Sequence, residues 1–207
     1  MAALWVIGFA LVGAQSAWAT ATYDYTGNDF TTTTDNGPTT PPVTYTTSDK
    51  VTASITISAP LGDNLVDSIV PVPTFSFSDG TQTIDNTKAT FDFFHFWTDA
   101  SGNITQWNVG AAINTSPNTI LEIDTANVLG AFPTGIVEDV GKQTLCGPGS
   151  TTTACDAFGD PFYHIEGLND NLPGTWTAST TAVPEPGSLA FFGASLGALG
   201  VLRRRRR

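Results

Sequence analysis

Positive charge is nearly missing from the interior of this 207-residue chain. Five of its eight lysines and arginines are Arg203, Arg204, Arg205, Arg206 and Arg207, at the very end. Lys50, Lys88 and Lys142 alone face 18 of the 19 acids, so residues 20–182 carry a formal charge of −15. A surface of that sign repels polyanions and excludes nucleic acid as a partner. It keeps a protein soluble outside a cell and gathers counter-cations. Lys, Glu and Met are also scarce, with one methionine in the whole chain, whereas Thr, Ser, Gly, Asn and Asp abound. That composition excludes a helical bundle and favours strands joined by many turns.

Catalytic signatures are equally scarce. The sequence holds no Gly-x-Ser-x-Gly elbow, no His-Glu-x-x-His and no phosphate-binding glycine loop. Its two histidines, His95 and His164, sit among aromatics in strand-like runs and read as packed or hydrogen-bonded side chains. Carboxylate pairs for glycoside hydrolysis come from positions distant in sequence, and the acids here fall largely in turn-like segments or on polar strand faces, so nothing singles out a pair. The chain reads as a non-enzyme, and a secreted hydrolase is the least favoured alternative. No cofactor is implied. Two cysteines, Cys146 and Cys155, lack a third Cys or a nearby His for zinc. In an exported chain they read as a local disulfide, contributing about 2–3 kcal/mol by loop closure.

Long apolar runs are confined to the ends. Leu4–Val12, broken only by Gly8, leads into Ala17-Trp18-Ala19, an A-x-A cleavage pattern, so residues 1–19 read as a signal peptide with Thr20 as the mature start. The run is too short to span a bilayer. Met1-Ala2-Ala3 carries no basic side chain, so whether Met1 is the true start stays open. At the other end, Val183-Pro184-Glu185-Pro186 precedes the uncharged run Gly187–Leu202 and the five arginines. The prolines fix φ and keep the segment extended and accessible. As a helix the apolar run reaches about 24 Å, a short transmembrane segment, and the arginines hold its end in the cytoplasm.

That order of parts resembles the PEP-CTERM sorting domain recognised by exosortases of exopolysaccharide-making Gram-negative bacteria. The resemblance implies that Val183, Pro184, Glu185 and Pro186 form the recognition motif and that Arg203–Arg207 stop transfer. It further implies an exosortase partner, transient anchoring in the inner membrane, tail removal, and delivery to the cell surface or matrix, where exopolysaccharide is a candidate partner. Leu172-Pro173-Gly174-Thr175 resembles the start of a Gram-positive sortase signal, but Trp176 stands where a glycine is required. A permanent anchor is the other reading of the tail.

Between the ends, residues 20–182 are expected to form one antiparallel β-sandwich-like domain, followed by the tail at 183–207. Residues 26–48 are rich in Thr, Pro, Asn and Gly and read as loop or edge. Val51, Ala53, Ile55 and Ile57 alternate with polar residues, the pattern of a strand with one buried face. Asp79-Gly80 between Phe75–Ser78 and Thr81–Ile84 predicts a hairpin with a type I′ turn. Thr90–Trp97 and Ile104–Val109 predict a second hairpin with a longer loop. Phe91, Phe93, His95 and Trp97 share one face of the first strand, which, apolar on both faces, is expected at a sandwich centre. Fainter strands fall near Thr119–Ile123, Phe162–Ile165 and Thr175–Thr180.

Two ligand readings arise from the middle. Asp99, Ser101 and Asn103 alternate around Gly102 and could give oxygen ligands to a structural calcium, or serve as ordinary turn formers. Trp97, Trp107 and Trp176 could stack on sugar faces or fill the core. A structural or adhesive surface protein is the leading expectation, and a lectin-like module of the exopolysaccharide matrix the alternative.

Overall fold

The computed structural model describes residues 19–35, 43–116, 119–129, 135–146 and 161–181. Within them Thr20–Thr181 form one compact unit of twelve strands in two antiparallel sheets packed face to face. The strands are β1 (Ala21–Asp29), β2 (Thr32–Asp35), β3 (Lys50–Ile57), β4 (Ser68–Ile69), β5 (Thr74–Ser78), β6 (Thr83–Asp85), β7 (Phe91–Thr98), β8 (Ile104–Ser116), β9 (Thr119–Val128), β10 (Ile136–Cys146), β11 (Pro161–Asp170) and β12 (Thr175–Thr180). Sheet A runs β12-β1-β3-β5-β6, and sheet B runs β2-β11-β10-β9-β8-β7-β4. The expected β-sandwich is therefore present.

Sheet A follows the two-residue period closely. Val51, Ala53, Ile55, Ile57, Phe75, Phe77 and Ile84 are buried on its inner face. Thr52, Ser54 and Thr56 alternate with them and turn outward, as a pleated strand demands. Sheet B answers with Phe94, Phe96, Trp107, Val109 and Ile123, also buried. The rings interlock across the gap: Phe75 meets Phe94 at 5.2 Å between centroids and Tyr25 meets Trp107 at 5.6 Å, while Tyr25 also packs on its cross-strand neighbour Trp176 at 5.0 Å. Each such pair adds about 0.5–1.5 kcal/mol beyond its buried area.

β7 to β11 form a meander in chain order, β5 and β6 a hairpin in sheet A, and the remaining connections cross between sheets. The crossing after β1 pivots on Phe30, whose ring is buried and whose amide donates to the Asp49 carbonyl at 2.8 Å. The hairpin predicted at Asp79-Gly80 exists, but its turn differs. Ser78 pairs with Thr83, so the loop has four residues, and only Gly80 of the expected pair has positive φ (+90°). The reason is that the Asp79 side chain turns into the core, where it caps the loop. The second hairpin is present too, with Thr98 opposite Ile104. β7 keeps the predicted faces but is not central, because only the two-residue β4 lies beyond it.

Residues 1–18, 147–160 with Cys155, and 182–207, and the side chains of Cys146 and His164, lie outside the described residues. The expected signal peptide, tail helix and disulfide fall there. Among the described residues no helix is long and apolar enough to cross a membrane.

Candidate functional site

Three places in the sandwich gather side chains able to do chemistry. The first is the outer face of sheet B. Phe91, Phe93, His95 and Trp97 project from β7 as predicted, with Phe91 58% exposed and the others partly buried. Ile69 of β4, paired with His95, is 74% exposed. The His95 ring is oriented by Asp67, with Nδ1 2.8 Å from Oδ1. Across the sheet the aromatic strip gives way to acids. The register places Phe93, Gly110, Asp124 and Val140 in one row and His95, Asn108, Ala126, Glu138 and Asp170 in the next. Phe93 and Asp124 close over Gly110, where a Cβ would lie 2.6 Å from Asp124 and 2.9 Å from Phe93. Burial, then the neighbouring Glu122 and Glu138 carboxylates, pushes Asp124 well above the usual carboxylate range. Glu138 is raised by the same causes, with burial foremost and then Asp170 and Glu166.

The second place lies between the sheets and has no counterpart in the sequence reading. Asp139 is 1% exposed and accepts a hydrogen bond from the Tyr25 hydroxyl at 2.6 Å. Beside it on the inner face stand Thr125, to which the Trp107 indole donates at 2.9 Å, and Asn169, whose amide donates to the Asp29 carbonyl at 2.7 Å. Burial pushes Asp139 up to about 6, against the pull of the Thr125 and Tyr25 hydroxyls. Tyr25 is itself raised by burial and by the adjacent Asp139. A second pair repeats the arrangement. Asp79, fully buried, accepts from Tyr45 at 2.6 Å, from the Thr81 amide at 2.9 Å and from the Gln82 amide at 2.6 Å. Tyr45 is raised in turn, by burial and then by Asp79. Asp79 and Oδ1 of Asp139 accept from buried donors, a structural use, while Asp139 Oδ2 is buried with no hydrogen-bond partner among the described residues. The available signal was the poor alternation of β10, Val137-Glu138-Asp139-Val140-Gly141-Lys142, which a polar inner face produces.

The third place comprises two clefts. One, of about 300 Å³, is lined by Tyr23, Leu61, Ser101, Asn103, Trp176 and Ala178. The other, of about 500 Å³, is lined by threonines 44, 81, 115 and 119 with Gln82, Leu121 and Gln143.

The residues singled out in the sequence are not brought together. Trp107 is 4% exposed, and Trp176, partly buried, packs inward against the core with edge-on contacts at 6.2 Å to Trp107 and 5.9 Å to Phe96. Only Trp97 stands on an outer face, so a three-tryptophan platform is ruled out by strand parity. Asp99, Ser101 and Asn103 do share the β7–β8 loop. There Asp99 Oδ1 accepts the Ser101 and Asn103 amides at 2.7 and 3.0 Å, and Oδ2 accepts the Asn103 side chain at 2.9 Å. These bonds, the Asn103 side chain first, hold the Asp99 carboxyl below its ordinary value. The loop is thus closed by its own donors. Among the described residues no group of three or more His, Cys, Asp or Glu could hold a metal ion.

Residues 182–207 match the PEP-CTERM protein-sorting motif. No curated protein and no solved structure matches the chain.

Proposed function

We propose that this chain is a cell-surface or extracellular-matrix protein of a Gram-negative bacterium, with a non-catalytic β-sandwich passenger that is structural or adhesive. The observation that carries the reading is the sorting motif at 182–207, which supports an exported protein processed by an exosortase. The signal peptide places Thr20 onward outside the inner membrane, the tail anchors the precursor transiently there, and cleavage near Pro184-Glu185-Pro186 releases it. Mass and location of the protein in a wild-type host and in one lacking its exosortase test this route. Loss of the tail in the first and a tailed precursor in the second are expected. Full-length protein in the inner membrane of both would make the tail a plain anchor.

A second reading, glycan binding by the passenger, is favoured by the outer face of sheet B. There Phe91, Phe93 and Trp97 offer accessible ring surface beside carboxylates that can accept sugar hydroxyls. Retention on the host's own exopolysaccharide, lost in Trp97→Ala with thermal stability kept, is the expected result. Equal retention of both proteins would remove this reading.

A further inference from the structure

Among the described residues, the outermost strands of the two sheets are not equivalent. β2, β4 and β6 have four, two and three residues, and short edges offer little to pair with. β12 has six, and its ladder with β1 runs without a bulge. The Thr181 amide donates to the Thr20 carbonyl at 3.1 Å. By the alternation of an antiparallel ladder, Thr175, Thr177 and Ser179 then spend their amides on β1, while Trp176, Ala178 and Thr180 turn N–H and C=O to the open side. Proline, lysine and bulges, the usual protections of an edge, do not occur in Thr175–Thr180. Trp176, Ala178 and Thr180 also line the 300 Å³ cleft, together with Ser101, Asn103 and Ile104 of the β7–β8 hairpin. An open edge beside a cleft is the geometry that accepts an added strand.

Charge selects the occupant. Residues 20–182, with three lysines against 18 acids, repel another copy of themselves over most of their surface. Thr175–Thr181 carry no charge at all. We propose that β12 is a self-association edge, where two copies of the chain join β12 to β12 antiparallel about a twofold axis. Such a contact is self-complementary and makes one continuous sheet from the two five-stranded ones. The outward-facing backbone groups pair most completely with Ala178 opposite Ala178 of the second copy and Trp176 opposite Thr180. Thr177 then faces Ser179, a favourable cross-strand pairing of hydroxyls. The contact deepens the structural reading of the passenger and rests on it for its setting in the matrix. It is tested on purified protein, so its failure leaves the sorting route standing, and failed sorting leaves it standing.

The test uses the full chain in detergent micelles, with hydrogen exchange and sedimentation followed over a wide concentration range. Protection of the Trp176, Ala178 and Thr180 amides should rise with concentration, while those of Thr177 and Ser179, already bonded to β1, stay unchanged. Association through the apolar tail would not give that pattern. Ala178→Pro removes a donor at the twofold centre without costing a bond to β1, and Ala178→Glu sets like charges opposite each other. Each should raise the dissociation constant about tenfold or more with circular dichroism and thermal midpoint retained. Should the proline variant fail to fold, the glutamate variant alone decides. Outward amides that exchange at one rate at every concentration, or a folded Ala178→Glu chain that associates as tightly as its parent, would overturn the proposal and leave the edge to a different chain.

Discussion

In sheet A the inward positions of β3, β5 and β6 are all aliphatic or phenyl, from Val51 to Ile84. In sheet B the inner face changes character halfway across. β7 and β8 present Phe94, Phe96, Trp107 and Val109, whereas β10 and β11 present Asp139 and Asn169, equally buried. The outer faces differ as well: hydroxyls on sheet A at Thr22, Thr52, Ser54 and Thr56, aromatics and acids on sheet B. A polar inner face needs partners from the opposite wall, and here β1 supplies the Tyr25 hydroxyl to Asp139 and the Asp29 carbonyl to the Asn169 amide. One half of the core is thus held by area, whereas the other joins hydrogen bonds to buried atoms, Asp139 Oδ2, Gln143 Oε1 and Asn169 Oδ1, that have no partner among the described residues.

The largest effect should come from the apolar half. Phe77→Ala removes a fully buried ring that packs on Phe75 and Phe94, and is expected to cost about 3–5 kcal/mol, read as a fall in the denaturant midpoint. A cost below about 1 kcal/mol would mean that the two sheets are not packed there.

The polar half should answer to pH instead. Asp139, raised from 3.8 to about 6, binds its proton more tightly in the folded chain than in the unfolded one. Its contribution is therefore fully present below the unfolded value and is lost as pH rises through the folded one. Unfolding free energy should be about 2–3 kcal/mol greater near pH 4 than near pH 7 on this account. Asp139→Asn should remove the Asp139 share of that slope and leave the part set by Asp124 and Glu138, which shift the same way. An unchanged slope in the variant would assign the pH response to the outer face alone.

Close packing in the polar half is probed by Gly141→Ala. The added Cβ would lie 2.6 Å from Asp79 Cβ, so the capping loop must shift, for about 1–3 kcal/mol. Gly62→Ala, which meets nothing nearer than Leu65 at 3.6 Å, is the matched control and should stay within about 0.5 kcal/mol. Apart from that control, the smallest effect is expected for Phe91→Ala on the outer face, where the ring is 58% exposed. Less than about 1 kcal/mol is expected by thermal denaturation.

The same division explains what could be read in advance. β3 and the hairpins β5–β6 and β7–β8 were legible because buried and exposed residues alternate along them. β10 was not, because its inward residues are Asp139, Gly141 and Gln143, and alternation of polar with polar leaves no period. β1 was obscured by the turn-like Thr26-Gly27-Asn28 at its end, although Ala21, Tyr23 and Tyr25 are all buried. Asp79 looked like one half of a two-residue turn, a role its local neighbours permit. Its burial depends on Tyr45, 34 residues away. Trp107 and Trp176 were equally good as platform or core by composition, and only the pairing of Phe96 with Trp107, and of Tyr25 with Trp176, sends both inward.

Composition and local order alone were enough for the class of the domain, its acidity and the address at its C-terminus. Each of these is a property of short segments or of sums over residues, and a sorting motif is read as an extended peptide rather than as part of a fold. Which tryptophan meets solvent, which aspartates are buried beside tyrosines and which strand ends a sheet open to another copy were decided by tertiary structure. Those outcomes depend on partners distant in sequence, such as Tyr25 with Asp139, 114 residues apart, and on the crossings that bring β12 back beside β1.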